Sequence, residues 1–429
     1  MKKLIAVLLV CLVLAGCATA DDPLEVTKIE PQPETTETTM SSEDAALLQE
    51  RRDAAEQYMR DMATVLWRAT EDLTWTKDSS ITDEEGLAAY CEEKTPLSVK
   101  AGRLYQGIPY SYAGAPAGNF YQFFGENDEK GYPMVKDLHW RSLNDGSGRV
   151  GNDCSGSVQL SWEYVGGNFV PASTKTMTPL YGYIPVGEYK SADSEFVDTE
   201  AITVENGGDV MFAAYAKLQK ADAVVRRKDG AGHTMMVTSV NVVYNADGSI
   251  DGMNSYITVL HQTTSYLNKE AYEYDETIGE DIYKIYGIDD KYTFMKLLGS
   301  GYLPITCDVL VNPDATPKEA WFKDSETEFT KDNIFGGEIT SNAMMAYMTI
   351  TVTDAEGNQV GQKIAFCKRQ SKKSVITFPM ANFETEESFN TLGELDLTTL
   401  KPGTYHCTHV LTDAHGGEHT MRDFDFTVE

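Results

Sequence analysis

From about residue 325 to the end of the chain, apolar side chains fall on alternate positions, a period that no helix can bury on one face. Met348, Ile350 and Val352 are separated by Thr349, Thr351 and Thr353, and Glu356-Gly357-Asn358 then marks a turn. Phe424, Phe426 and Val428 repeat the alternation near the end. Short strands with turns between them indicate a β-sandwich over residues 325–429. Residues Ser42 to Leu73 show the other period. Ala55, Met59, Met62, Leu66, Ala69 and Leu73 recur at helical spacing with charges between them, and Ser41 or Ser42 is a suitable N-cap. From about Pro96 to Asn312 the pattern is mixed, with a helix after Cys154 followed by strands rich in Val, Tyr and Thr. The expected class is α+β. At 429 residues the chain is too long for one ordinary domain, and the divisions expected after the first forty residues are a helical segment 42–95, a mixed domain 96–312 and the sandwich 325–429.

Lys2 and Lys3 precede an apolar run from Leu4 to Leu14. The run is shorter than the roughly 20 residues that span a bilayer as a helix, and it has the layout of a secretory signal. Leu14-Ala15-Gly16-Cys17 resembles the lipobox of bacterial lipoproteins. The resemblance implies a signal peptide 1–16 and lipid on Cys17, hence an extracytoplasmic protein anchored to a bacterial membrane. Residues 17–41, rich in Glu, Thr and Pro, read as a disordered tether. The formal charge of -30 argues against binding nucleic acid or an anionic membrane surface. Near the C-terminus, Leu395 to Tyr405 resembles the tyrosine-corner region of immunoglobulin-like or fibronectin-like domains, and Cys367 and Cys407 are candidates to bridge its two sheets.

Without Cys11 and Cys17, five cysteines remain, so at least one is unpaired. No pair has zinc-type spacing, and no metal or cofactor is expected. Cys154 stands out. Gly151-Asn152-Asp153-Cys154-Ser155-Gly156-Ser157 opens an apolar periodic stretch that ends at Gly166-Gly167, which sets Cys154 at a helix N-terminus. The free N–H groups and the dipole there favour a thiolate, and Gly156 leaves room beside the sulfur for a substrate backbone. A base is needed as well. His233 opens an apolar strand and His261 ends another, and a hairpin centred on Asp247 would set them opposite each other. A turn at Asp251-Gly252 would instead slip that register.

Asp153-Cys154-Ser155-Gly156, preceded by Gly107-Ile108-Pro109-Tyr110-Ser111-Tyr112-Ala113-Gly114, resembles the catalytic region of the NlpC-type, papain-like cell-wall cysteine peptidases. Pro171-Ala172-Ser173-Thr174, Gly208-Asp209-Val210-Met211-Phe212 and Gly232-His233 before a strand continue the same order, over about half the chain. The resemblance implies Cys154 as nucleophile, His233 as general base and His261 as the third polar residue. It implies Tyr110, Asp153 and Ser155 as substrate-binding residues. Such enzymes cleave peptidoglycan stem peptides, typically between γ-D-glutamate and the diamino acid, through a thioester.

The sequence departs from that pattern in two long segments, Asn119 to Arg149 and Ala213 to Ala231, which would reshape the cleft walls. Tyr112, His139 and Trp140 are candidates for an enlarged rim, with a core or surface role at least as well supported. His415-Gly416-Gly417-Glu418-His419 matches a zinc motif in letters, but its two glycines between strands indicate a hairpin turn. Two other readings keep the same residues: a catalytically silent wall-binding or adhesion lipoprotein whose sandwich meets a protein or glycan partner, and a cysteine amidase or acyltransferase.

Overall fold

Helix α1 starts at Ser42 and stops at Thr64, well short of Leu73. Beyond it the burial period changes to two: Trp67 and Ala69 are buried while Leu66 and Arg68 are half-exposed, and Leu66–Ala69 is a strand. The indole of Trp67 donates to the Gly107 carbonyl, which fixes the strand against the start of the central region. The computed structural model describes residues 40–429 apart from 79, 145–147, 167–172, 316–318, 368–375 and 384–390. The signal segment, Cys17, nearly all of the tether, Gly167 and Pro171-Ala172 lie outside the described residues. Among the described residues no helix is long and apolar enough to cross a membrane.

The architecture is α+β. Helix α2 covers Cys154–Tyr164 and ends where Gly166 takes φ 87°. It packs against a six-stranded antiparallel sheet of β1 (Tyr183–Pro185), β2 (Ala223–Lys228), β3 (Ala231–Asn241), β4 (Tyr256–Gln262), β5 (Tyr286–Thr293) and β6 (Leu303–Cys307). The spatial order is β5-β4-β3-β2-β6-β1. Val158, Leu160 and Trp162 of α2 share a core with Met235, Val237, Ile257 and Val259 of the sheet. Helix α1 packs on α2 and is tied to the sheet by ion pairs. Arg52 meets Asp222 at 2.8 Å with both side chains buried, and Arg60 grips Asp289 with two hydrogen bonds of 3.0 Å.

Gly208 to Phe212 do not form a strand. They lie in the second of two helical pieces that together cover Thr199–Tyr215 and meet at Gly207, where φ is 78°. Met211, Ala214, Tyr215 and Leu218 are buried at helical spacing, which decides the matter against an extended chain. The strand that leads to His233 is β2, inside the segment expected to be an insertion.

A second six-stranded sheet draws its strands from residues 66–69, 104–106, 124–127, 133–135, 272–275 and 280–284. The long segment Asn119 to Arg149 thus extends this sheet, and none of its described residues lines the cleft. It also reaches the C-terminal region, where Phe123 stacks on Phe366 and Gln122 donates to the Tyr347 hydroxyl.

The C-terminal region holds a five-stranded sheet and a three-stranded sheet. Arg422 pins one to the other, donating to both Asp324 oxygens and to the carbonyls of Ile334 and Gly336. Tyr405 donates to the Lys401 carbonyl at 2.8 Å, tying the strand to the turn before it. Cys367 and Cys407 are both free and buried, so the bridge between them is not formed. Residues 415–419 turn between the last two long strands, with Gly416 at φ 83°, and His419 bonds Asp413 across the turn.

Candidate active site

Asp153 caps α2: its Oδ1 accepts from the Gly156 N–H at 2.6 Å and from the Ser155 hydroxyl at 3.1 Å. Cys154 is therefore the first residue of the helix, and it lines a cleft of about 850 Å³. Tyr110, Tyr112, Asp153, Ser155, His233 and His261 line the same cleft, so all the residues read from the sequence as site residues meet, apart from the undescribed Cys17. Tyr112 is on the rim, whereas His139 caps a short helix away from the cleft and Trp140 is buried in that helix. Gly156 has a different role from the one expected. A Cβ there would sit 2.1 Å from Asn152 Oδ1 and 3.0 Å from Asp153 Oδ1, so its bareness makes room for these side chains and not for a substrate.

The two histidines come from neighbouring strands. The turn does form at Asn245 to Ser249, with Gly248 at φ 85°. A second turn at Asp251 to Ser255 nevertheless sets Tyr256 opposite Asn241, three residues out of that register, and the shift between Thr258 and Val259 takes back one, so Leu260 faces Met236 and His261 is diagonal to His233 rather than opposite. The rings still meet, with His233 Nε2 2.8 Å from His261 Nδ1. The next link was not legible in the sequence: His261 Nε2 lies 2.9 Å from Asp290 Oδ2, and the Tyr266 hydroxyl donates to the same oxygen at 2.5 Å. β3, β4 and β5 thus supply one member each. A bulge in the β4–β5 pairing between Val259 and His261, with Asp289 at φ 55°, aims Asp290 at the ring. Gly287 faces His261 across the strands, and a Cβ on it would lie 2.3 Å from His261 Nε2 and 2.5 Å from Asp290 Oδ2.

The hydrogen-bond pattern fixes the proton positions. Burial acts to raise the Asp290 carboxyl, but the bonds from His261 and Tyr266 outweigh it and hold it below the usual carboxylate range. An ionised carboxylate only accepts, so His261 carries its proton on Nε2. In the tautomer with that single proton on His261, its Nδ1 accepts, so His233 donates from Nε2 and keeps its own Nδ1 as a base. Burial, followed by the nearby His261 and Arg226, brings the His233 imidazolium down to about 3, so the ring is neutral.

The thiol behaves differently from the expectation. Burial, reinforced by the Asp153 carboxylate, pushes Cys154 up to about 12. The N–H groups of Thr234, Ser155 and Cys154 act the other way and are outweighed. The helix N-terminus therefore does not yield a resting thiolate, because desolvation of the charged form costs more than the terminus returns. The resting pair is a thiol and a neutral imidazole, an arrangement that can move a proton as an acyl carbon is attacked.

No family model matches the chain, and no curated protein matches it. Among solved structures, a tetra-tandem repeat in the extending region of a large adhesion protein is similar at 12% identity and a TM-score of 0.17. The likeness covers 48% of this chain and 40% of that chain, and at that score it carries no argument.

Proposed function

We propose that this protein is a cysteine peptidase of papain-like, NlpC type that cleaves peptide bonds in peptidoglycan stem peptides. One observation carries the reading: Cys154 and the hydrogen-bonded series His233–His261–Asp290 line one open cleft, with a free imidazole nitrogen left for the thiol. In this reading the substrate carbonyl settles over the N-terminus of α2. The Cys154 sulfur attacks the carbonyl carbon as its proton passes to His233 Nδ1. The oxyanion that forms faces the backbone N–H groups at the helix start. The amine leaves with the proton from His233, a thioester remains on Cys154, and water activated by His233 releases the acid. Asp290 contributes by holding the His261 tautomer and by offsetting positive charge as His233 is protonated.

The bond most consistent with the resemblance is that between γ-D-glutamate and the diamino acid. The lipobox-like segment supports a location outside the cell for such an enzyme, held to the membrane through lipid on Cys17, with the C-terminal β-region meeting a protein or glycan partner. The test is incubation of the chain from Ala18 onward, and of its Cys154→Ala variant, with purified stem peptides and muropeptides, reading products by mass spectrometry. Cleavage by the parent and none by the variant is expected. Cleavage by both, or by neither when folded and reduced, overturns the proposal, and the product masses separate a peptidase from an amidase or transferase.

A further inference from the structure

The whole chain carries 66 acidic against 36 basic residues, yet its cleft has the opposite balance. Lys77, Arg226, Arg227, Lys269 and Lys296 line it, and among the described residues none of the five pairs with a carboxylate. Elsewhere the same side chains find acids readily, as Arg52, Arg60, Arg68 and Lys220 do. The two carboxylates in the cleft are already engaged, Asp153 as the cap of α2 and Asp290 with His261 and Tyr266.

Lys77 shares the cleft with Cys154. Its ammonium lies 5.7 Å from the Tyr110 ring centre and 5.6 Å from that of Tyr112, so two aromatic faces hold it at the mouth of the site. It is half-buried. Burial lowers its affinity for the proton, while the charge that Cys154 bears as a thiolate acts in the opposite direction. A half-buried ammonium with no acid partner, in the same cleft as a nucleophile, is suited to receive an anion.

We infer that the cleft selects an anionic peptide, and that Lys77 binds a free carboxylate carried on the residue whose carbonyl meets Cys154. This rests on the peptidase reading for the identity of the substrate, though not for the binding itself. In a γ-linked glutamate the α-carboxylate is free and belongs to the same residue as the scissile carbonyl, so it must enter the cleft beside the sulfur. Amidation of that carboxylate removes the charge while keeping the shape. The other four cations receive the remaining carboxylates of the peptide and set the dependence on salt.

The experiment uses the Cys154→Ala chain, so that binding is read without turnover, with two peptides. One is L-alanyl-γ-D-glutamyl-diaminopimelate with its α-carboxylate free, and the other is the same peptide with that group as a carboxamide. Calorimetry is expected to give a dissociation constant roughly 10- to 100-fold weaker for the amide, as for loss of a charged hydrogen bond. Adding Lys77→Met should bring the free acid to the level of the amide, and Lys77→Arg should restore the preference. Equal affinities in the Cys154→Ala chain, or no binding of either peptide, would overturn the inference. A parent that cleaves both peptides equally well keeps the peptidase and removes the selectivity. Discrimination in binding without cleavage by the parent removes the peptidase and keeps the anion site.

Discussion

Replacing Gly287 by alanine tests whether the His261–Asp290 contact governs the site. The new methyl would stand 2.3 Å from His261 Nε2 and 2.5 Å from Asp290 Oδ2, two atoms that are themselves 2.9 Å apart. To reach ordinary contact each must withdraw by roughly 1 Å, beyond hydrogen-bond range. Backbone strain is not the issue, because Gly287 is absent from the positions with positive φ. The loss is that of a hydrogen bond to a charged acceptor, about 1.5–3 kcal/mol, or roughly 10- to 150-fold if it falls on the transition state. His261 would then be free to carry its proton on Nδ1, and His233 would lose its free nitrogen. The assay is kcat/KM on a stem peptide together with nitrogen NMR of the imidazoles, which reports the tautomers without turnover. Parental kinetics and parental imidazole signals in a folded Gly287→Ala chain would refute the reasoning.

Three further outcomes follow from the same geometry. Arg52→Met should cost about 3–5 kcal/mol in urea unfolding, because it strands the buried Asp222 carboxylate; a loss under about 1 kcal/mol would show that α1 is not fastened there. His409 is fully buried with both ring nitrogens unpartnered, and burial brings it down to about 3, as it does His233. The unfolded chain therefore takes up protons that the folded one refuses, and stability should fall as pH drops below about 6.5, by about 1.4 kcal/mol per pH unit for each such histidine. His409→Leu should make that decline shallower, as followed by denaturant titrations across pH. Finally, Cys91 is the exposed thiol among the described cysteines and should react first with iodoacetamide at neutral pH. Alkylation of Cys154 should rise about tenfold per pH unit towards its value near 12, and a rate flat above about pH 7 would mean a preformed thiolate.

Helix α2, with Cys154 at its start, was legible because the signals are local: a periodic run after Gly151-Asn152-Asp153 and a glycine stop at Gly166. The histidine pair was legible from spacing about a turn, though a second turn at Asp251 to Ser255 shifted the register and made the contact diagonal. Asp290 was not, since a bulge at Asp289 aims it and a bulge leaves no periodic trace. An Asp289-Asp290 pair inside a tyrosine-rich strand, close to Gly287, is the signal that would have pointed there. Helix α1 was read too long because Leu66, Ala69 and Leu73 continue its helical spacing, and burial of Trp67 and Ala69, two residues apart, settled it for a strand. The protonation of Cys154 depends on how deeply the cleft buries it, which the helix position alone does not reveal. The five cleft cations come from four separate stretches of the chain, at 77, 226–227, 269 and 296, so only the fold assembles them.

The most direct measurement is to trap the acyl-enzyme. Parent protein mixed with excess stem peptide, quenched in acid within milliseconds to seconds, is read by intact mass and then by peptide mapping. An adduct equal to the acyl half of the substrate, carried on Cys154 and lost on standing in neutral buffer, is the predicted result. Steady cleavage with no such adduct, or an adduct on any other residue, would contradict the assignment of Cys154 as the nucleophile.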